Sequence, residues 1–287
     1  MKVWLKGCIV DGEDAKISVT DHGLLYGDGI FEGMRVIERR VFRLDDHMHR
    51  FETSAKAVGL ALPIGRTELR SIVLDTARAF AADSAYIRLI ATRGEGELGV
   101  DPATCREPCI ICIVGGISLF PHEKLMRGID MVTVSIRRPA ADMLDPRVKS
   151  LNYLNSVLAK REARLRGADE ALLLNQLGNV AEASVANVFA VIKGVVVTPP
   201  ATDGALAGIT RISVLECAAD LGIRTREATL GRFDLLGADE VFLTGTGARL
   251  VPVATLDGQA IGSGERPMVW QLLDAMDRFA QIHGTPL

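Results

Sequence analysis

The chain has 287 residues, 48% hydrophobic and 24% charged, with 33 basic and 36 acidic side chains and a formal charge of −3. That length suggests two domains at roughly 150 residues each. It also buries enough apolar surface to fold without a disulfide or metal staple. The slight acidity excludes the strongly basic footprint of a dedicated nucleic-acid binder. No apolar run reaches the roughly 18 residues of a membrane span, and the opening Met1-Lys2-Val3-Trp4-Leu5-Lys6-Gly7 has no secretory core, so a cytoplasmic protein is expected.

In chain order, short β-like runs at 3–5 and 8–10 flank a turn. A hairpin is expected over 31–38 and 41–44 around Arg39-Arg40. Asp45 reads as the N-cap of a helix carrying Met48, Phe51, Ala55 and Val58 at helical spacing. Thr67 reads as the cap of a second helix with Leu69, Ile72, Val73, Thr76, Ala77 and Phe80 on one side. Buried strands are predicted over 86–92 and 109–114. This half is α+β, a small domain over 1–119. Residues 120–128, punctuated by Pro121 and Gly128, read as an interdomain linker. A larger α/β domain follows over 129–287. Its predicted elements are a strand at 131–136, a Pro-rich loop to 147 and a helix from 151 to 166. Strands at 171–175, 187–192 and 195–198 come next, then a helix from Gly208 to about 221, a strand at 240–244 and an amphipathic helix at 268–282.

Two motifs are rejected on context. Gly94-Glu95-Gly96-Glu97-Leu98-Gly99 matches G-x-G-x-x-G, but Val100-Asp101-Pro102 prevents a helix from following. Its two glutamates would also repel the pyrophosphate that such a loop binds. The five cysteines are scattered, and Cys109 and Cys112 lie in one apolar run, so they read as buried thiols rather than a redox or metal pair. No metal site is expected.

Lysine is scarce, eight against twenty-five arginines. Lys149, before a predicted helix, is a candidate for Schiff-base chemistry, which a lysine performs when its surroundings disfavour the ammonium. Glu182 sits among Val and Ala between predicted strands, where an acid needs a partner. A protonated pyridine nitrogen would be one. Gly208-Ile209-Thr210-Arg211 offers backbone N–H groups at a helix start. Thr244-Gly245-Thr246-Gly247 lets backbone amides approach an anion, and Arg50 adds a planar charge.

Taken in order, Tyr26 to Arg35, His47 to Phe51, Lys149 to Asn155, Glu182 to Phe189, Gly208 to Arg211 and Phe242 to Thr246 resemble the fold-type IV pyridoxal-phosphate aminotransferases, of D-amino-acid aminotransferase-like fold, over nearly the whole chain. The resemblance implies pyridoxal 5'-phosphate as cofactor, with Lys149 as the Schiff-base and proton-shuttle residue and Glu182 on the ring nitrogen. It implies Tyr153 on the phenolic oxygen, and Arg50, Ile209, Thr210 and Thr246 on the phosphate. Phe31, Gly33, Tyr86 and Arg88 would line the substrate pocket, with Gly33 leaving room for a branched chain, and amides at Thr246, Gly247 and Ala248 would meet the substrate carboxylate.

Within that family, Phe31-Glu32-Gly33-Met34-Arg35 and Tyr86-Ile87-Arg88 resemble the branched-chain amino acid aminotransferases. Gly96-Glu97-Leu98-Gly99-Val100 lacks the arginine and histidine of the D-amino-acid enzymes and looks like the apolar loop lent to a partner subunit. The implied reaction moves the amino group of leucine, isoleucine or valine to 2-oxoglutarate, in at least a homodimer. One departure stands out: Gly247 and Arg249 replace the usual alanine and glutamate of the late turn. The alternatives are a D-amino-acid or (R)-amine transaminase or an aminodeoxychorismate lyase of the same fold. From another class, a non-catalytic cofactor-binding module would not require Lys149 together with Glu182.

Overall fold

A computed structural model describes residues 1–117 and 120–287; the boundary expected at residue 119 lies outside them. The chain forms two compact units. The first comprises Met1–Ile117, Val148–Asn152 and Ala280–Leu287. The second comprises the described residues of 118–147 together with Tyr153–Phe279. The units are therefore discontinuous in sequence, whereas the expected division was contiguous.

In the first unit, β1 (Lys2–Leu5), β2 (Cys8–Asp11), the one-turn helix α1 (His22–Leu25), β3 (Gly29–Ile37) and β4 (Arg40–Phe42) precede α2 (Leu44–Ala57) and α3 (Arg66–Phe80). Then come β5 (Ala85–Thr92) and β6 (Cys109–Gly115). The antiparallel sheet runs in the order C-terminal strand Gly284–Pro286, β4, β3, β5, β6, β1, β2. Every second residue of β3 (Ile30, Met34, Val36) packs with Met48, Phe51, Leu69 and Val73 from the two helices in one core. The two segments that return to this unit satisfy strand edges. Gly284–Pro286 pairs with β4. Residues 149–151 pair with the first half of β3, an edge that β4 leaves open because it reaches only Val36 and Ile37.

Three local readings shift. The hairpin turns on Glu38-Arg39 rather than Arg39-Arg40, because both residues take positive φ (47° and 59°), the conformation a tight antiparallel connection needs. The α2 cap is Arg43, itself left-handed, not Asp45. Asp45 and Asp46 sit in the first turn, where carboxylates meet the positive helix end. Helix α3 starts after Gly65, two residues before Thr67. The rejected glycine motif is followed only by a one-turn 3-10 helix, Pro102–Thr104. Burial pushes the Cys112 thiol up to about 12 and the Cys109 thiol upward as well, so both stay protonated, inert thiols.

The second unit opens with a short helix α4 (His122–Arg127), inside the segment expected as a linker. It continues through β7 (Ile129–Arg137), α5 (Ala141–Leu144), α6 (Leu154–Leu165), β8 (Glu170–Leu174), β9 (Val180–Ala183), β10 (Asn187–Ile192) and β11 (Val195–Thr198). The remainder is α7 (Ile209–Asp220), β12 (Thr225–Glu227), α8 (Arg232–Leu236), β13 (Glu240–Gly245), β14 (Arg249–Leu256), β15 (Gln259–Ala260) and α9 (Pro267–Ile282). Its sheet has the order β12-β11-β10-β13-β14-β7-β8-β9, with β15 added to β14. Parallel pairs β14/β7 and β7/β8 lie beside antiparallel ones. The strands read as near-continuous apolar runs because Ile129, Leu172, Val188, Val241 and Val251 are all buried. Among the described residues, no helix is long and apolar enough to cross a membrane.

Two findings here bear on the site. Helix α6 begins at Leu154, not near Leu151, because residues 149–151 hydrogen-bond along β3 instead: Phe31 N–H donates to the Lys149 carbonyl (2.9 Å) and Leu151 N–H to the Gly29 carbonyl (2.9 Å). Lys149 thus sits on an extended, strand-paired segment. Glu182 is not in a connection between strands but inside one, β9, opposite Leu173.

Candidate active site

In the first unit, strand parity sorts the chemistry onto the two faces of β3. Glu32 points with Ile30 and Met34 toward α2 and is fully buried. His47 and Arg50, three residues apart on α2, share one helix face and both meet it. Arg50 gives a two-pronged fork, Nε to Oε1 at 2.6 Å and Nη2 to Oε2 at 2.8 Å, and His47 Nδ1 lies 2.7 Å from Oε2. The planar fork expected to face a phosphate is thus taken by Glu32, a residue for which the sequence suggested no role. Its signal was available: an acid at a core-facing strand position with His and Arg three apart on the next helix. Burial pushes the Glu32 carboxyl up, but the Arg50 guanidinium and His47 outweigh it and hold it down to about 2. Burial likewise drives His47 downward, against the pull of Glu32, so its imidazole is neutral.

Both groups lose their contribution in acid. Glu32 stabilises the fold fully above its unfolded value of 4.5, on the order of 3 kcal/mol, and that is lost as pH falls toward about 2. His47, depressed below 6.5, makes the unfolded chain the better proton acceptor, so stability begins to fall as pH drops through 6.5. Denaturant midpoints measured against pH should therefore decline in two stages, and Glu32→Gln should flatten the lower one. An unchanged acid limb in that variant would refute the pairing as its origin.

The opposite face of β3 carries Phe31, Gly33 and Arg35 beside Tyr86 and Arg88 of β5, with Gly33 directly opposite Arg88. The Lys149 ammonium lies 4.4 Å from the centre of the Phe31 ring, and the Arg88 guanidinium lies 4.5 Å from the same ring. Arg88 also donates to the Tyr86 hydroxyl at 3.3 Å. Two cations therefore contact one aromatic ring. A Cβ on Gly33 would lie 2.1 Å from the Tyr86 hydroxyl. The room that glycine leaves, expected to serve a branched substrate chain, is filled by Tyr86. Lys149 N–H donates to Ser54 Oγ at 3.3 Å, which ties the lysine backbone to α2. So Phe31, Gly33, Tyr86, Arg88 and Lys149 are brought together, with Arg50 held by Glu32. The loop beyond β5 is anchored by Gly99 N–H to the Tyr26 hydroxyl (2.8 Å) and presents Leu98 and Val100, more than four-fifths exposed.

In the second unit, Glu182 is buried on β9 and richly held. Arg138 Nη2 lies 2.8 Å from Oε1, while Oε2 accepts from Asn187 Nδ2 (3.2 Å) and from Leu206 N–H (2.9 Å). Arg138 and Asn187 are the residues that sequence reading missed. Glycine is required at 208 because a Cβ there would lie 2.1 Å from Asn187 Oδ1. That close approach puts Asn187, and through it Glu182, beside the start of α7. Ile209 and Thr210 form its first turn, and Gly208 gives it no side-chain cap, so the orphan N–H groups of a helix start are available to an anion. Asn187 also pairs across the sheet with Thr244 of β13, which leads into the turn Thr246-Gly247-Ala248. Within that turn Ala248 N–H donates to the Gly245 carbonyl at 3.2 Å, so this amide is engaged internally rather than presented to a carboxylate. Arg249, left-handed at φ 61°, pairs with Asp277 of α9. Tyr153 occupies the N-cap position of α6.

The chain is similar to known proteins over most of its length. The Amino-transferase class IV family matches residues 29–256, and the chain belongs to that family. An archaeal chain of Methanocaldococcus jannaschii, assigned as a branched-chain-amino-acid aminotransferase, is 48% identical over 265 residues, 92% of this chain and 90% of its own length. The crystal structure of the Escherichia coli branched-chain amino acid aminotransferase superposes with a TM-score of 0.93 at 34% identity, covering 97% of this chain and 94% of that one. The T.th. branched-chain amino acid aminotransferase, complexed with N-(5'-phosphopyridoxyl)-L-glutamate, gives a TM-score of 0.92 at 35% identity, covering 99% and 98%.

Proposed function

We propose that the protein transfers the amino group of leucine, isoleucine or valine to 2-oxoglutarate with pyridoxal 5'-phosphate as cofactor. The observation that carries the reading is that one chain holds both a strand-anchored lysine, in its first unit, and a buried, cation-held glutamate, in its second. The donor set fits the cofactor: an amine for its aldehyde, an acid for its ring nitrogen, and an uncapped helix start for its phosphate. When bound, the cofactor supplies an electron sink for charge that develops at the substrate Cα.

This chain's residues do the rest. Lys149 would hold the cofactor by its amine and move the proton at the substrate Cα, its segment kept in place by β3 and Ser54. Glu182 would hold the proton at the ring nitrogen, and Tyr153 would hydrogen-bond the phenolic oxygen. Ile209 and Thr210 with the Thr246 turn take the phosphate. Arg50 adds positive charge on the lysine's side, oriented by Glu32.

Specificity follows from the face that carries Phe31, Tyr86 and Arg88. A ping-pong cycle must accept an apolar side chain in one half and a carboxylate in the other. Phe31 and Tyr86 offer apolar area, while Arg88, whose Nε is buried without an acceptor among the described residues, offers charge to the distal carboxylate of 2-oxoglutarate. The glutamate adduct in the T.th. enzyme supports the same acceptor. The exposed Leu98 and Val100 support a homodimer, with the loop covering the partner's pocket, and the protein works in the cytoplasm.

Half-reaction rates with L-leucine, D-alanine, (R)-phenylethylamine and aminodeoxychorismate test this directly. L-leucine should be fastest, and L-alanine, measured beside these four, should be slower by about 10-fold or more, since a single methylene in an apolar pocket is worth about 10–200-fold. A faster half-reaction with D-alanine would overturn the branched-chain reading and favour the D-amino-acid branch.

A further inference from the structure

Arg138 follows β7 directly and its side chain is about nine-tenths buried. Three elements clamp the guanidinium. Nη1 donates to Asn155 Oδ1 on α6 (3.2 Å), Nε donates to the Gly204 carbonyl in the loop before α7 (3.1 Å), and Nη2 lies 2.8 Å from Glu182 Oε1 on β9. Its backbone N–H donates to the Leu174 carbonyl of β8 (3.0 Å). A guanidinium held this way cannot swing aside when its carboxylate partner changes charge.

The state of Glu182 before any cofactor arrives is set by two opposing effects. Burial favours the neutral acid. The cation at 2.8 Å and the two N–H donors on the other oxygen favour the carboxylate. The donors decide it: a clamped cation on one oxygen and two N–H groups on the other all serve the carboxylate.

We propose that Arg138 is a positioning residue that keeps Glu182 a carboxylate in the free chain, so that Glu182 has no proton to give up when it meets the cofactor's protonated ring nitrogen. The inference rests on the reading of Glu182 as the ring-nitrogen partner. Arg138 thereby sets the proton count of cofactor binding. With the cation removed, a desolvated glutamate takes up a proton in the free chain. On binding, Glu182 returns to the carboxylate and its proton goes to an unprotonated ring nitrogen or, where the nitrogen arrives protonated, to solvent, so the step takes up one proton fewer than in the wild type.

The experiment is calorimetric titration of the cofactor-free chain with pyridoxal 5'-phosphate at about pH 7.5, within the range that buried glutamates reach. Two buffers of different ionisation enthalpy give the protons taken up per chain. Any contribution of Lys149 is common to all variants and cancels in the differences. Arg138→Gln should take up fewer protons than the wild type, by a number approaching one, and Arg138→Lys, which keeps the charge, should restore the wild-type count. Equal uptake in Arg138→Gln and the wild type, with cofactor bound by both, overturns the inference and leaves the assignment of Glu182 standing. A wild-type chain that binds no cofactor overturns that assignment instead.

If Arg138→Gln does not fold, the wild type decides alone. In chain labelled with 13C at glutamate carboxyls, the Glu182 signal, located by its loss in Glu182→Gln, should be that of a carboxylate at neutral pH. A protonated carboxyl there overturns the proposal.

Discussion

Lys149→Ala should remove the visible absorbance of the cofactor-loaded protein and lower the half-reaction by about 10⁴-fold or more, since in the proposed reading Lys149 would both hold the cofactor and carry the Cα proton. The variant should still fold. The bonds that hold this segment to β3 and to Ser54 come from backbone atoms of residue 149, which alanine retains. What the fold loses is the contact of the ammonium with the Phe31 ring, worth about 1 kcal/mol. Its melting temperature should therefore stay near the wild-type value while transamination disappears. A variant that keeps both its absorbance and its turnover would show that Lys149 is not the nucleophile.

Glu182→Gln should cost about 10²-fold or more in the half-reaction, equivalent to about 3 kcal/mol of transition-state stabilisation. Glutamine keeps the shape and still accepts at one oxygen, so the contacts from Asn187 and Leu206 have a partner. It cannot balance Arg138, and it cannot hold a positively charged ring nitrogen. In the proposed reading the phosphate would take its contacts from the uncapped α7 start, so the cofactor should remain bound. Full activity in Glu182→Gln would mean that another group protonates the ring. Comparing it with Lys149→Ala separates two roles: one variant loses the covalent attachment, and the other keeps it with slow chemistry.

Much of the fold was legible because its strands and helices carry strong local periodicity. The runs at β5, β6, β10 and β11 and the amphipathic helices α2, α3, α7 and α9 appear within a few residues of where the sequence put them. The misplacements share a cause: each involves backbone atoms whose partners are distant in sequence. Nothing local distinguishes residues 149–151 from a helix start, since their extended conformation is imposed by the open edge of β3 more than a hundred residues earlier. Strand β9 is short and carries Glu182, so its pattern looked like a connection until β8 paired with it. The caps of α2 and α3 fell at Arg43 and Gly65 because backbone dihedrals, not side-chain oxygens, terminate those helices.

The amino-acid sequence by itself determined the family and singled out Lys149 and Glu182 as candidates, because chemistry that needs an amine, a carboxylate and an anion cradle leaves rare residue types in a fixed order. Only the tertiary structure decided which neighbours set the charge of those groups. Glu32 takes the Arg50 fork, Arg138 grips Glu182, Tyr86 fills the space over Gly33, and Asn187 reaches past Gly208. Each is a pairing across strands or between a strand and a helix or loop. A charge or hydrogen-bond partner acts over a few ångströms in space, whatever the separation along the chain, so these partners became visible only once the two sheets were assembled.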